Sequence, residues 1–169
     1  MDSKVIVATD KAPKAIGPYS QAVGYNGLLF CSGQIPIDPS SGEVIEGGIE
    51  AQTARVMGNL AAVLDARGLD FSHALRTTIY LKNMTDYAKV NAIYGRFFDR
   101  NPPARVAVEV SRLPKDVLVE IDMIAAVPEP AAAPTISEPM ASEPAHSEPV
   151  AEGEPVSAPA QPTAPSEEA

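Results

Sequence analysis

The sequence ARVAVEVSRLPKDVLVEIDMIAAV, residues 104–127, contains two stretches of strand-like alternation joined by a short loop. Because successive side chains of a strand point to opposite faces, the predicted strands 105–110 and 117–127 each have an apolar side and a more polar side. We expect the valine sides of both strands to meet a helical layer. The opposite face of the sheet then gathers the charged residues Arg105, Glu109, Glu120 and Asp122.

The loop between these strands is short enough for a hairpin. The register of that hairpin decides how far apart Arg105 and Glu120 lie. If Val110 pairs with Val117, Arg105 and Glu120 are diagonal neighbours about 7–8 Å apart at the backbone, with room for a small carboxylate or a water. If the register moves by two residues, Arg105 lies directly opposite Glu120 and forms a plain cross-strand ion pair. The pattern leaves both arrangements open.

Alternation and helical periodicity predict the remaining elements. The predicted strands are 4–7, 22–25, 28–32 and 76–81, and the predicted helices are 49–67 and 85–99, with Thr85 as the cap of the second helix. Asn26-Gly27 predicts a type I′ turn, and Gly68 ends the first helix. The order βββαβαββ predicts an α+β sandwich with two helices on one face of a mainly antiparallel sheet.

A change of composition near Pro128 divides the chain into a domain, 1–128, and a tail, 129–169, rich in Pro, Ala, Glu and Ser. The tail carries 8 of the 22 acidic residues and none of the 13 basic ones, so the formal charge of −9 leaves −1 for the domain. A nearly neutral domain argues against nucleic-acid binding. We expect the proline-rich tail to be disordered, because it has little apolar surface to bury.

The N-terminal residues and the cysteine content predict the compartment. The chain starts without a basic segment followed by a long apolar core, and no apolar stretch approaches the roughly 20 residues that span a bilayer. The single cysteine, Cys31, cannot form an intramolecular disulfide and lies in an apolar run, where we expect it to be buried. We therefore expect a cytoplasmic protein that does not contact membranes.

Four motifs follow one another along the domain. They are AIGPYSQ (15–21), SGQIP (32–36), VNAxY (90–94) and PARxxVEVxRLPKDxxVEI (103–121). Together they closely resemble the signature of the RidA family, the reactive-intermediate deaminases. The resemblance runs from about Val5 to Val127 and covers none of the tail.

This resemblance implies a chorismate-mutase-like protomer, assembled as a homotrimer with clefts between subunits. It implies that Arg105 binds the carboxylate of a reactive 2-imino acid, such as 2-iminobutanoate or 2-iminopropanoate, and that Glu120 orients the water that hydrolyses it to a 2-oxo acid and ammonia. No metal or organic cofactor is implied, because the C=N carbon is already electrophilic. The other cleft residues that it implies are Tyr19, Gly33 (through its backbone), Asn91 and Ala107. Many family members carry a cysteine at the position of Ala107, so the size of the pocket in this chain stays open.

The residue types fit this chemistry, since a guanidinium holds a carboxylate by two parallel hydrogen bonds and a carboxylate can serve as a general base. An alternative is a non-catalytic trimer that binds small carboxylates or acts as a holdase, for which Arg105 suffices without Glu120. A ribonuclease role is also attributed to relatives, but the sequence of this domain has neither the basic stripe nor the histidine pair that such a role would need. Tyr19 could instead cover the edge of the core, and Asn91 could be an interhelical polar group, while we expect His73 to be structural.

Overall fold

The computed structural model describes residues 4–128, which form one six-stranded sheet and two helices. The strands are β1 (Val5–Val7), β2 (Ala22–Tyr25), β3 (Leu28–Gln34), β4 (Ala74–Leu81), β5 (Ala104–Glu109) and β6 (Val119–Ala126). They lie in the order β1-β2-β3-β6-β4-β5, with β4 and β5 parallel and the other neighbours antiparallel. The predicted βββαβαββ order is confirmed. The prediction of a disordered tail concerns 129–169, which lie outside the described residues.

The β2–β3 hairpin turns at Asn26 and Gly27, whose φ angles are 48° and 70°. A type I′ turn needs positive φ at both central positions, and Asn and Gly adopt it at the least steric cost. The predicted hairpin is therefore confirmed.

Helix α1 (Ile49–Asp65) and helix α2 (Tyr87–Tyr94) pack against each other on the same side of the sheet. The periodic apolar residues of α1 are fully buried: Val56, Leu60, Val63 and Leu64. Just beyond the end of α1, Gly68 has a φ of 72°, which an L side chain rarely adopts. The amphipathic helix predicted from the sequence is confirmed and ends two residues earlier than expected.

The second helix is shorter than its sequence pattern indicated, because 3-10 turns at Met84–Asp86 and Gly95–Phe97 flank the eight residues of α2. The prediction that Thr85 caps it was wrong. Asn83 has an extended backbone, and its side-chain oxygen accepts a hydrogen bond from the Thr85 N–H at 2.9 Å. Asparagine is a stronger capping residue than threonine, so the helical segment begins with the 3-10 turn at Met84, before the predicted start.

The predicted hairpin between the last two strands is wrong. Strand β5 pairs in parallel with β4, with Arg105 opposite Thr77, while β6 lies on the other side of β4. The connection from β5 to β6 therefore crosses the end of β4, where the Val110 N–H donates to the Leu81 carbonyl at 2.9 Å. Neither of the two predicted registers occurs.

Two buried side chains anchor this crossing connection. Leu113 and Val117 pack with Ile35 and Ile37 in a small apolar cluster apart from the main core. Between them, Pro114–Asp116 forms a 3-10 turn. Burial of these apolar side chains favours the crossing over a solvent-exposed hairpin loop.

Because β5 pairs with β4 and not with β6, the face that β5 presents to the helices is the reverse of the predicted one. Directly opposed side chains of paired strands lie on the same face, so Arg105 lies with Thr77 on the helix side. Val106 and Val108 lie on the other face and are 42% and 36% exposed. The expectation that the valine side of β5 meets the helices was therefore wrong. For β6 the same expectation is confirmed, because its apolar side is buried.

The sheet face opposite the helices, called the open face below, combines polar and apolar side chains. Its central residues are Phe30, Thr78, Tyr80, Val106, Val108, Glu120 and Asp122. Phe30 is 43% exposed there, in addition to the two valines. A sheet face with this much exposed apolar surface is typical of one that a partner covers.

Two neighbouring residues of α1 should change stability in opposite directions. Asn59 is buried and donates to the carbonyls of Ile35 and Ile37 at 3.1 and 2.9 Å, which holds the segment after β3 against the helix. We expect Asn59→Ala to lower the free energy of unfolding by about 2–4 kcal/mol, because both buried carbonyls lose their donor. Gly58 is exposed with open space around it, so Gly58→Ala should raise that free energy by about 0.5–1 kcal/mol.

Urea unfolding of both variants and of the unsubstituted protein, at one protein concentration, measures these changes. Equal stability of Asn59→Ala and the unsubstituted protein would contradict the anchoring role of Asn59.

Candidate active site

Arg105 is held on the helix side of the edge strand β5 by two tyrosines of α2. Its guanidinium carbon lies 4.9 Å from the ring centre of Tyr94 and 5.6 Å from that of Tyr87. Its Nη2 also donates a hydrogen bond to the Tyr87 hydroxyl at 3.0 Å. Cation–π contacts of this geometry favour the charged guanidinium and restrict its position.

The ring of Tyr94 is a fixed platform for this guanidinium. Tyr94 is buried, and its hydroxyl shares a hydrogen bond with the Thr77 hydroxyl at 2.8 Å. Its ring also packs against Phe98 at a centroid distance of 4.7 Å. The side chain therefore has little freedom to move away from Arg105.

A cleft of about 480 Å³ opens beside Arg105, and Asn91 reaches into it. The cleft is lined by Asn91, Tyr94, Gly95, Phe98, Pro102, Pro103 and Arg105. The Oδ1 atom of Asn91 is buried and has no hydrogen-bond partner among the described residues. A buried acceptor without a donor is costly, so this atom suits a donor supplied by a ligand or by another chain.

Glu120 lies on the open face, half-buried, and its carboxylate packs against the backbone of Gly33. A Cβ at position 33 would overlap that carboxylate, so any larger residue there would displace Glu120 from its place. The pairing of β3 with β6 is interrupted between Cys31 and Gln34, which takes the backbone around Gly33 out of the regular ladder. This irregularity makes the room that the carboxylate uses.

Tyr19 belongs to the same side of the molecule as Gly33. The two residues line one narrow recess together with Gln34 and Ile35. The Tyr19 ring is largely exposed, and its hydroxyl accepts a hydrogen bond from the Ile16 N–H at 3.3 Å. The Tyr19 ring is therefore exposed beside this recess and is not buried in the core.

Burial, followed by the negative charge of Asp122, raises the pKa of Glu120 above its ordinary value. Asp122 is fixed two residues along β6, where it accepts hydrogen bonds from the Thr78 N–H at 3.2 Å and the Tyr80 hydroxyl at 3.0 Å. A carboxyl group with a raised pKa exchanges protons closer to neutral pH, which is what a general base requires.

The remaining reactive side chains have structural roles. The imidazole Nδ1 of His73 lies 2.9 Å from an Asp70 carboxylate oxygen in a capping box, which confirms the expected structural role. Cys31 is buried as predicted, and its pKa is raised to about 12 by burial and then by Asp122. Within residues 4–128, no cluster of three or more His, Cys, Asp or Glu side chains is placed to hold a metal ion. No helix of this part of the chain has the length and apolar character to cross a membrane.

Comparison with known proteins identifies the family. A family model described as Endoribonuclease L-PSP matches residues 9–127. A mouse protein named 2-iminobutanoate/2-iminopropanoate deaminase is 43% identical over 120 residues, which are 71% of this chain and 89% of that protein. The crystal structure of RidA from a Psychrobacter species superposes with a TM-score of 0.70 at 36% identity, covering 73% of this chain and 98% of that one. The chain belongs to the RidA family.

Other relatives of this RidA-family chain have names that state no reaction. A RutC family protein of Pyrococcus horikoshii is 52% identical over 122 residues, or 72% of this chain and 97% of that protein. The family resemblance and the fold class expected from the sequence are both confirmed. The family includes an imine deaminase, as the name of the mouse relative states.

The residues predicted for the site of this RidA domain fall into two separate groups, which we call half-sites. The helix-side half-site contains Arg105, Asn91 and Ala107, and Ala107 packs partly buried against the core. The open-face half-site contains Glu120 and Gly33, and Tyr19 lines a recess with Gly33. The expectation that Arg105 and Glu120 share one face of one chain was wrong, because β4 separates their strands and the two side chains point to opposite sides.

Sequence reasoning did not assign Tyr87, Tyr94 or Asp122 to the site. Tyr87 and Tyr94 are seven residues apart and so lie on one face of a helix, which the pattern indicates as an apolar stripe. Their contact with Arg105 depends on the parallel pairing of β5 with β4, which no local signal reveals.

Replacing the neighbouring charge should lower the pKa of Glu120. In Asp122→Asn the amide keeps an oxygen for the Thr78 N–H, and the Tyr80 hydroxyl can accept instead of donate. The repulsion that raises the pKa of Glu120 is then removed, while the larger effect of burial remains. We expect a lower pKa for Glu120 in a carboxyl carbon-13 NMR titration.

Asp65→Asn serves as the control, because Asp65 is exposed and pairs with Lys11. If Asp122→Asn and Asp65→Asn left the pKa of Glu120 equally unchanged, the electrostatic role of Asp122 would be refuted.

Proposed function

We propose that this protein hydrolyses reactive 2-imino acids, such as 2-iminobutanoate and 2-iminopropanoate, to 2-oxo acids and ammonia. The observation that carries the proposal is the state of Arg105. Its guanidinium is held over two tyrosine rings at an open cleft, and its one side-chain hydrogen bond among the described residues goes to Tyr87. The remaining N–H groups suit the two oxygens of a small carboxylate.

The active site in this proposal is formed by two copies of the chain. Arg105 and Glu120 lie on opposite faces of one sheet, so one chain cannot bring both to the same small ligand. The helix-side half-site of one copy therefore meets the open-face half-site of the next. Three copies arranged head to tail make a closed ring with three such sites.

Exposed apolar surface supports this assembly. Phe30, Val106 and Val108 are exposed on the open face, where a neighbouring copy would bury them. Val106 belongs to the same strand as Arg105, so contact between copies along β5 would bring that strand close to a neighbouring open face. Burial of such a patch stabilises an oligomer by the hydrophobic effect.

In the proposed reaction, Arg105 holds the substrate carboxylate and Glu120 of the adjacent copy holds a water against the C=N carbon. The water oxygen bonds to that carbon as the C=N π bond breaks, and Glu120 takes one proton of the water and passes it to the nitrogen. In the resulting carbinolamine Glu120 transfers the hydroxyl proton to the amine nitrogen while the C–N bond breaks and the C=O bond forms, so that water and the imino acid yield a 2-oxo acid and ammonia. The raised pKa of Glu120 favours this proton transfer near neutral pH.

The other predicted residues have supporting places in this scheme. The Oδ1 of Asn91, which has no hydrogen-bond partner in the described part of the chain, suits an N–H group of the substrate or of the neighbouring copy. Gly33 leaves space for the Glu120 carboxylate, and the exposed Tyr19 ring lies at the recess beside it. The small Ala107 side chain leaves room next to Arg105.

An assay with 2-iminobutanoate, generated in situ by a threonine dehydratase, tests the proposal. We expect the protein to accelerate loss of the imine at neutral pH. Arg105→Ala should lower kcat/KM by about 10²-fold or more through loss of two charge-assisted hydrogen bonds. Glu120→Gln should lower kcat by about 10²–10⁴-fold, the usual contribution of a general base.

Arg67→Ala and Glu50→Gln are matched controls, because both residues are exposed and lie outside the two half-sites. No acceleration by the unsubstituted protein would exclude the hydrolase. If 2-oxobutanoate still bound in that case, a non-catalytic carboxylate-binding protein would remain as the alternative.

A further inference from the structure

Tyr87 is an exposed residue at the first position of α2, and its hydroxyl is directed at the guanidinium of Arg105. The side chain is 38% exposed, so no packing in the core accounts for its position. Its oxygen accepts the hydrogen bond from Nη2 at 3.0 Å. The hydroxyl of Tyr87, unlike that of the buried Tyr94, thus makes its protein contact with a residue of the proposed site.

The two tyrosines restrict Arg105 in different ways. The Tyr94 ring attracts the guanidinium to its face, with 4.9 Å between the ring centre and the guanidinium carbon, and leaves the direction of the N–H groups free. The hydrogen bond from Nη2 to Tyr87 removes this remaining freedom. An arginine side chain carries a large rotamer entropy, so a ligand binds more tightly when that entropy has been lost before it arrives.

The environment of the Tyr87 hydroxyl reinforces this contact. Hydrogen bonding from the Asn91 side chain, followed by the positive charge of Arg105, lowers the pKa of Tyr87. Both causes present N–H donors or positive charge to the phenol oxygen, which keeps that oxygen in the acceptor role toward Arg105. Asn91 and Arg105 both line the cleft, and the Tyr87 hydroxyl contacts Arg105.

We propose that Tyr87 is a positioning residue that orients the guanidinium of Arg105 for the two oxygens of a ligand carboxylate. The inference deepens the proposed function and rests on it for the identity of the substrate. Tyr87 acts through Arg105 and takes no part in proton transfer. Its removal therefore weakens binding of carboxylates and leaves the chemical step intact.

The variant Tyr87→Phe tests this role, because it keeps the ring and its contact with the guanidinium and removes the hydroxyl alone. We expect the Kd for 2-oxobutanoate, measured by calorimetry, to rise about five- to tenfold, as for the net loss of one ordinary hydrogen bond. In the imine assay KM should rise by a similar factor, with kcat within about twofold of the unsubstituted protein. Tyr25→Phe is the control, since Tyr25 is an exposed tyrosine of the β2–β3 hairpin, outside both half-sites, and should change neither value.

Nitrogen-15 NMR of the arginine side chains provides a readout that needs no catalysis. We expect slow rotation of the Arg105 NH₂ groups in the unsubstituted protein and faster rotation in Tyr87→Phe. Unchanged rotation together with an unchanged Kd would overturn the positioning role, and so would a failure of the unsubstituted protein to bind 2-oxobutanoate. If imine hydrolysis is absent but the binding and rotation effects occur, Tyr87 keeps its role and the hydrolase alone is excluded.

Discussion

Strand β4 separates β5 from β6, and the hydrogen bonds at its end hold this arrangement in place. The Val110 N–H donates to Leu81, and the Lys82 N–H donates to Leu118 at 3.0 Å, so that the β5–β6 connection is attached on both sides of the strand end. Because the side chains of a strand alternate, the pairing that follows from this crossing puts Arg105 on the helix side and Glu120 on the open face. The placement of Arg105 and Glu120 on opposite faces depends on this order of the strands.

In the proposed function, each half-site is prepared by its own surroundings and is incomplete alone. On the helix side, the tyrosines restrict a guanidinium, and Asn91 presents a buried acceptor that no donor of residues 4–128 satisfies. On the open face, burial beside the Gly33 backbone raises the pKa of Glu120. A second copy of the chain would complete both half-sites and cover exposed apolar surface in the same step. Assembly and activity are therefore coupled in the proposed function.

Local signals predicted the order of the elements, the Asn26-Gly27 hairpin and the amphipathic helix α1, because each depends on residues close in sequence. They did not predict the neighbours of β5. The connection between β5 and β6 is long enough either to close a hairpin or to cross one strand. Alternation also cannot show which side of β5 meets the helices, because the side that lies on the open face carries Val106 and Val108. The site residues came from the family resemblance, and their division between two faces became visible only with the sheet order.

The most direct test of the shared site is complementation between inactive chains. Arg105→Ala and Glu120→Gln are unfolded together in equal amounts and refolded, and mixing is verified by native mass spectrometry. With a trimer, about one site in four then combines an intact Arg105 with an intact Glu120 from the neighbouring copy, so we predict recovery of about a quarter of the unsubstituted activity. A mixture of Arg105→Ala with Arg105→Gln should recover none. Mixed oligomers of Arg105→Ala and Glu120→Gln that are no more active than either variant alone would contradict the account.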